Sequence, residues 1–262
     1  MFEALAKFFE TVLMILNNYG GLLVKGTGVT VLLAIVGTGV GFLIGLLIGV
    51  YKTLPIRDDD PIVKKVLYKV FSFLLSAYIE VFRSTPMMVQ ATVIFYGAAW
   101  AFGLRLDPVT AGMFIISINT GAYMAEIVRG GIISVDKGQF EATHSIGMTH
   151  FQSMLYVILP QAIRNILPAT GNQFIINIKD SCVLSVISVT ELFFQTKSAA
   201  GATFQTFPAY FIACVIYFVL CFSITQILRK LETRMDGSET YTIYGTEPVI
   251  NGADTLKRGD VK

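Results

Sequence analysis

The sequence predicts an all-α, polytopic membrane protein with five transmembrane helices. Three observations predict it. Only 15% of the 262 residues are charged and 54% are hydrophobic, against roughly 25% charge in soluble domains. Windows free of Asp, Glu, Lys and Arg recur at about the 20-residue length that crosses a hydrocarbon core of roughly 30 Å. Basic residues gather at alternate ends of those windows, the asymmetry that orients a chain across a bilayer.

Residues 1–25 come first. Leu5, Phe8, Phe9, Val12, Leu13 and Leu16 fall at helical spacing with Glu3, Lys7 and Glu10 between them, which predicts an amphipathic helix lying on the membrane surface. Charges within its apolar part, and the lack of a small-residue cleavage site, argue against a signal peptide. The first span runs from Gly26 to Tyr51 and carries Gly37, Gly41, Gly45 and Gly49. Residues four apart share a helix face, so this stripe predicts close approach of a second helix.

A basic loop follows, with Lys52, Arg57, Lys64, Lys65 and Lys69. Tyr68 to Phe82 is apolar apart from Lys69 and Glu80 and reads as the inner half of a second span, Met87 to Leu104. The third span is Pro108 to Ala125. Phe151 to Ile178 is the fourth, with one charge, Arg164, and two prolines, Pro160 and Pro168; Phe207 to Leu228 is the fifth. Arg129, Lys137, Arg229, Lys230 and Arg234 flank inner ends, whereas the turn from Arg105 to Asp107 has a single basic residue. The N-terminus is therefore expected outside and the C-terminus in the cytoplasm. The transmembrane domain spans 26–232, and 233–262 is a polar cytoplasmic tail without helical apolar period.

Several functions are excluded or left without support. A net charge of +2 gives no basis for nucleic-acid binding. No GxxxxGK followed by Ser or Thr is present; at Gly20 to Thr27 the lysine precedes the glycine. Backbone amides, a lysine and a hydroxyl must meet the phosphates and magnesium in that order, so ATP is expected on a partner chain and no cofactor on this one. Cys182, Cys214 and Cys221 form no CxxC pair and read as small apolar packers. No activated-serine signature exists. His144 and His150 are six apart, about 120° out of alignment on a helix, and Glu141 with His144 makes one ExxH where a di-iron site needs two. No metal site is expected.

Polar residues at bilayer depth mark function by default, and three clusters qualify. The first holds Glu80, Arg83, Ser84, Thr85, Pro86 and Gln90. Arg83 lies 14 to 18 residues beyond Lys69 and Lys65, about 21–27 Å into the membrane at ~1.5 Å per residue. Pro86 disfavours helix at Thr85 and removes a backbone donor, freeing carbonyls for a ligand. The alternative is that Glu80 and Arg83 merely neutralise each other. The second cluster holds Asn172, Gln173, Asn177, Lys179, Asp180 and Ser181. Asn172 with Lys179, and Gln173 with Asp180, are spaced to share faces. A substrate role stands beside the alternative that Lys179 reaches the outer surface. The third is Asn119, Thr120, Tyr123, Glu126 and Arg129, read as lining and packing.

The stretch EATHSIGMTHFQ, Glu141 to Gln152, interrupts the apolar runs on the cytoplasmic side. Glu141 to Ile146 predicts a short helix, Gly147 a turn, and Thr149 onward a helix toward Pro160, with Ile146, Met148 and Phe151 as apolar surface for a soluble partner.

That string, with Glu141, Ala142, Gly147, Val157, Leu159 and Pro160, resembles the EAA motif of permease subunits in ATP-binding-cassette importers. Thr143 replaces the second alanine and Val157 an isoleucine. FRSTPMMVQ, GAYMAEIVRGGIISVDKGQFEAT and LPQAIRNILPATGNQFIINIKDSCVLSVISVTEL resemble polar amino acid permeases of the histidine, glutamine and glutamate type, over about residues 20–232. The resemblance implies the type I importer permease fold in a bacterial cytoplasmic membrane. It implies a permease dimer, as a homodimer or with a paralogue, and a loop at 136–150 docked through Glu141, Ala142, Thr143, Gly147 and Pro160 onto ATPase subunits that bind ATP and magnesium. An extracytoplasmic binding protein delivers the amino acid. By motif match the substrate site falls on Arg83, Ser84, Thr85, Pro86, Asn172, Gln173, Lys179, Asp180 and Ser181. Gln173 stands where glutamate is common, Ser84 where glycine is, and Cys182 where the family has serine; the loss of a carboxylate at Gln173 weakens the case for a strongly cationic substrate. The competing readings are an ion-coupled secondary transporter using Glu80, Glu126 and Asp180, which the absence of inverted repeats disfavours, and a membrane enzyme.

Overall fold

A computed structural model describes residues 2–56 and 60–235; Arg57, and the tail expected from 233 from residue 236 on, lie outside the described residues. Every regular element among them is helical. α1, Phe2–Lys52, is a single unbroken helix of 51 residues, about 77 Å long. Of residues 1–25, expected as a separate surface helix, Phe2 onward instead form its first half. Gly20, Gly21, Gly26 and Gly28 weaken this helix without ending it, because Ile15 and Leu23 are buried against later elements.

α2 (Ile62–Ser84) and α3 (Met87–Phe102) are separate helices. Thr85 is extended at φ −120°, ψ 146°, and Pro86 follows at φ −65°, ψ 134°, the backbone that a residue before proline prefers. Tyr68 to Phe82 therefore belongs to α2. α3 has 16 residues, about 24 Å, and ends where Gly103 enters the left-handed region at φ +67°. α4 (Pro108–Ile133) starts from Asp107, whose carboxylate accepts from the Thr110 N–H at 2.9 Å. α5 (Lys137–Ser145) and the single turn α6 (His150–Ser153) follow. A π-helical turn, Met154–Ile158, then leads into α7 (Leu159–Asp180); widening the helix just before Pro160 accommodates a residue that lacks an N–H. A 3-10 segment, Ser181–Ile187, connects to α8 (Leu192–Thr203) and α9 (Thr206–Met235).

The glycine stripe decides the central packing. A Cβ on Gly37, Gly41, Gly45 or Gly49 would lie within 2.7 Å of Ile116, Thr120, Met124 and Val128 respectively. Both series ascend together, so α1 and α4 run parallel at backbone contact. α7 runs antiparallel to α4, with Ile166 against Gly131 and Asn177 bonded to Thr120. Among the described residues four apolar clusters form, one of them Ile48, Ile79 and Ala125 between α1, α2 and α4. Of the others, one joins Ile15 and Leu23 to α8 and α9, one centres on Leu33, Ile115, Ile116 and Leu184, and one joins Val128, Ile132, Met154, Ile158 and Ile166.

Of the five expected spans, α1, α4 and α9 are long and apolar enough to cross a membrane. The other two differ. α3 is short of the roughly 30 Å hydrocarbon core. The Phe151 to Ile178 stretch is divided into α6, the π turn and α7, whose Gln161, Arg164, Asn165, Asn172, Gln173 and Asn177 keep it polar. The chain is thus an all-α, multi-span membrane protein in which three helices each hold an apolar stretch long enough to cross.

Candidate functional site: a capped surface helix and a buried polar junction

The EAA-like string builds α5 and its cap. Asp136 accepts from Gly138 N–H at 2.6 Å to start the helix. At its end Gly147 takes φ +80°, its N–H donates to His144 O at 3.0 Å, and Met148 N–H reaches back to Thr143 O at 3.0 Å. This pair of bonds is a Schellman cap, which needs a left-handed residue at that position. Nothing lies within 4 Å of where a Gly147 Cβ would sit, so glycine is required by the backbone and not by space. Thr143 is 4% exposed and its hydroxyl donates to Phe140 O at 2.9 Å, which satisfies the extra polar group where the family has alanine. Glu141, Ala142 and Ser145 lie on the exposed side, and Ile146 is 77% exposed.

Phe140 stacks on His150, with ring centroids 6.1 Å apart, and packs on the cluster around Met154 and Ile158. Thr149 and Gln152 form a reciprocal capping box that starts α6. α5 is thereby seated on α6 and the π-helical turn. A cavity of 1020 Å³ opens beside it, lined by Tyr51, Lys64, Tyr68, Phe71, His150 and Phe151 among others; it does not include the Arg83 or Asn172 motifs. Pro160 lies two turns beyond α6, in the first turn of α7.

The Arg83 motif sits at the break between α2 and α3. Arg83, Ser84, Thr85 and Pro86 are all exposed. The carbonyls freed at the break are met inside the protein: Gln90 Nε2 lies within 2.9 Å of Phe82 O, Thr85 O and Thr85 Oγ1. Arg83 stands over the Tyr123 ring at 5.8 Å, and Glu80 accepts from Ser84 Oγ at 3.1 Å. Glu80 and Arg83 form no ion pair with each other; Glu126 and Arg129 do, at 2.9 Å.

On α7, Asn172, Lys179 and Asp180 are exposed, whereas Gln173, Asn177 and Ser181 are buried. Gln173 and Asp180 are therefore not a pair on one accessible face. Asn177 donates to Thr38 Oγ1 at 2.8 Å and accepts from Thr120 Oγ1 at 3.0 Å, with Gln173 Nε2 at 3.4 Å. Asn119, the neighbour of Thr120, donates to Gln90 Oε1 at 2.8 Å. Adjacent residues of α4 thus bind the α2–α3 break on one side and α7 on the other. Buried amides that are fully bonded fix a single arrangement, so this junction sets the relative positions of the two exposed motifs.

Sequence reasoning missed Thr38, and it missed Glu191 with its partners Thr30 and Tyr217. Glu191 is fully buried and accepts from Phe193 N–H, Phe194 N–H and Tyr217 OH at 2.8, 2.7 and 3.0 Å. Its only sequence signal is that of an acidic N-cap before an apolar helix. Among the described residues no three His, Cys, Asp or Glu side chains gather as a metal site.

Comparison with known proteins places this architecture. The sequence profile of the Binding-protein-dependent transport system inner membrane component family matches residues 41–237. The glutamine transport system permease protein GlnP of Escherichia coli strain K12 is 37% identical over 217 residues, 82% of this chain and 93% of that protein. The probable glutamine ABC transporter permease protein GlnM of Bacillus subtilis strain 168 is 37% identical over 177 residues, 68% of this chain and 82% of that protein. Among solved structures, an amino acid ABC transporter crystallised with histidines aligns with a TM-score of 0.74 at 39% identity, over 84% of this chain and 96% of that one. The inward-facing MetNI methionine ABC transporter shares the fold, with a TM-score of 0.67 at 22% identity, over 82% of this chain and 96% of that one. The chain belongs to the binding-protein-dependent transport system inner membrane component family, as the non-catalytic permease subunit of an ATP-binding-cassette importer of polar amino acids.

Proposed function

We propose that the chain imports a neutral polar L-amino acid of the glutamine class across a bacterial cytoplasmic membrane, paired with a second permease, identical or paralogous. An extracytoplasmic binding protein hands over the substrate. Partner ATPases that bind ATP and magnesium drive alternating access. The chain crosses five times, with α2 and α3 sharing one crossing broken at Thr85–Pro86 and α7 completing another, on which Gln173 and Asn177 face protein. Its N-terminus lies outside and its C-terminus on the cytoplasmic side.

The observation that carries the reading is α5. Its inner side is locked by Thr143 and Phe140 and its end by the Gly147 cap, while Glu141, Ala142 and Ile146 stand free to fill a groove on an ATPase. Force applied there passes to α4 and α7 through the Met154–Ile158 cluster. Arg83, with Ser84, Thr85 and Pro86 beside it, offers a guanidinium for the α-carboxylate. Asp180 offers a carboxylate for the ammonium, Asn172 lines the α7 side, and Ser181, buried with its hydroxyl on Ile178 O, supports the helix end. Gln173 supports them from within. The glutamine class is supported by the names of the relatives and by the absence of a second carboxylate at position 173.

The test is reconstitution of the chain with its ATPase and binding protein in proteoliposomes. Glu141→Arg reverses an exposed charge whose side chain makes no structural bond, so the subunit folds while ATPase binding and ATP-driven uptake of L-glutamine are lost. Unchanged ATPase binding by this variant would refute α5 as the coupling element.

A further inference from the structure

Glu191 is a buried carboxylate that the importer reading leaves without a role. Taking an ionised group out of water costs several kcal/mol unless well-placed donors replace the water. Here three donors do, and they come from two elements: the first turn of α8, through Phe193 and Phe194, and α9, through Tyr217. α1 closes the third side. Thr30 Oγ1 accepts from Leu192 N–H at 3.2 Å, and a Cβ on Gly26 would lie 3.0 Å from the Glu191 backbone carbon and oxygen. The clamp is thus built around one position of one side chain.

What the clamp holds is the far end of the 3-10 segment. Short 3-10 stretches joined to α-helices recur at hinges. This one runs from Ser181 to Ile187, turns at Ser188 in the left-handed region at φ 65°, and reaches α8 at once. At its other end lie Lys179 and Asp180. One short segment thus joins the clamp to the exposed end of α7.

We propose that Glu191 is a positioning residue for transport: it fixes α8 to α1 and α9, and so supplies the rigid anchor from which the 3-10 segment holds the Lys179–Asp180 end of α7. This rests on the importer reading and is tested in two ways that separate the two. In proteoliposomes holding the assembled transporter and loaded binding protein, Glu191→Gln and Tyr217→Phe retain basal ATP hydrolysis. The L-glutamine carried per ATP falls about tenfold and about fivefold respectively, the scale of losing one charge-assisted or one ordinary hydrogen bond. An unchanged ratio in both variants would overturn the proposal, and so would basal hydrolysis falling in step with uptake, which marks a structural defect alone. Absence of ATP-driven uptake by the unmodified assembly would sink the importer reading instead.

The second measurement needs no uptake. In a Cys214→Ser, Cys221→Ser background, maleimide labelling of Cys182 is followed with and without Tyr217→Phe, a change that leaves the Glu191 side chain in place. Labelling about fivefold faster is expected as the 3-10 segment loosens; an unaltered rate would refute the anchor.

Discussion

Gly45→Ala is the sharpest perturbation of the fold. The added Cβ would lie 2.3 Å from Met124 Cβ, 2.6 Å from Met124 C and 2.7 Å from Ala125 N, whereas carbon atoms rest about 3.5–4.0 Å apart. Two of these neighbours are backbone, so no rotamer change relieves the clash, and α1 must withdraw from α4 by roughly 1 Å. Overpacking of this kind costs about 1–3 kcal/mol. The same substitution at Gly39, six residues earlier on α1, meets nothing within 4 Å and gains about 0.5–1 kcal/mol from replacing glycine within a helix. The two variants are expected to differ by about 1.5–4 kcal/mol and in sign. The assay is the fraction of purified transporter that stays monodisperse on size exclusion after heating in one detergent. Equal shifts for Gly39→Ala and Gly45→Ala would show that general helix effects, and not contact with α4, control this face.

Three further outcomes are expected. Asn177→Ala removes the group that joins Thr38, Thr120 and Gln173; heat inactivation should shift by about 1–3 kcal/mol, and a neutral result would mean water replaces the amide. Gly147→Ala forces an L-residue to hold φ +80°, a cost of about 1–2 kcal/mol. Co-purification with the ATPase should weaken, and Gly147→Asn should recover part of it, because Asn tolerates the left-handed region. At Asp107 the hydrogen bonds from the Thr110 backbone and hydroxyl hold the carboxyl below its ordinary 3.8. A depressed folded-state value means the cap stabilises above pH 3.8 and is lost as pH falls through the lowered value. The stability difference between the native chain and Asp107→Asn should therefore narrow steadily between pH 5 and pH 3; a constant gap would contradict it.

Local features were legible because their causes are local. The short helix read at Glu141 to Ile146 and its turn at Gly147 depend on a few adjacent residues, although the helix starts earlier, at Lys137 behind Asp136, and the break at Thr85–Pro86 follows from proline sterics. Features that join distant segments were not. The glycine stripe announced that a backbone would approach α1 without naming α4 or the parallel direction. Seven-residue spacing placed Gln173 with Asp180 on one face, yet Gln173 lies where α1 and α4 cover α7, while Asp180 lies at its end, exposed. Pro86 freed carbonyls as sequence reasoning expected, but Gln90, folded back from α3, took them.

The sequence by itself determined the membrane class, the family, the short helix ending at Gly147, and where helices must break or touch, because charge density, turn chemistry and residue size act within a few residues. Only tertiary structure decided that residues 2–25 are continuous with the first span, since burial of Ile15 and Leu23 against α8 and α9 keeps the helix whole. It alone made Glu191 a clamp: Tyr217 is 26 positions away, and the bond from Leu192 to Thr30 spans 162. A carboxylate reads as surface until three donors converge on it, and convergence is a property of the packed chain.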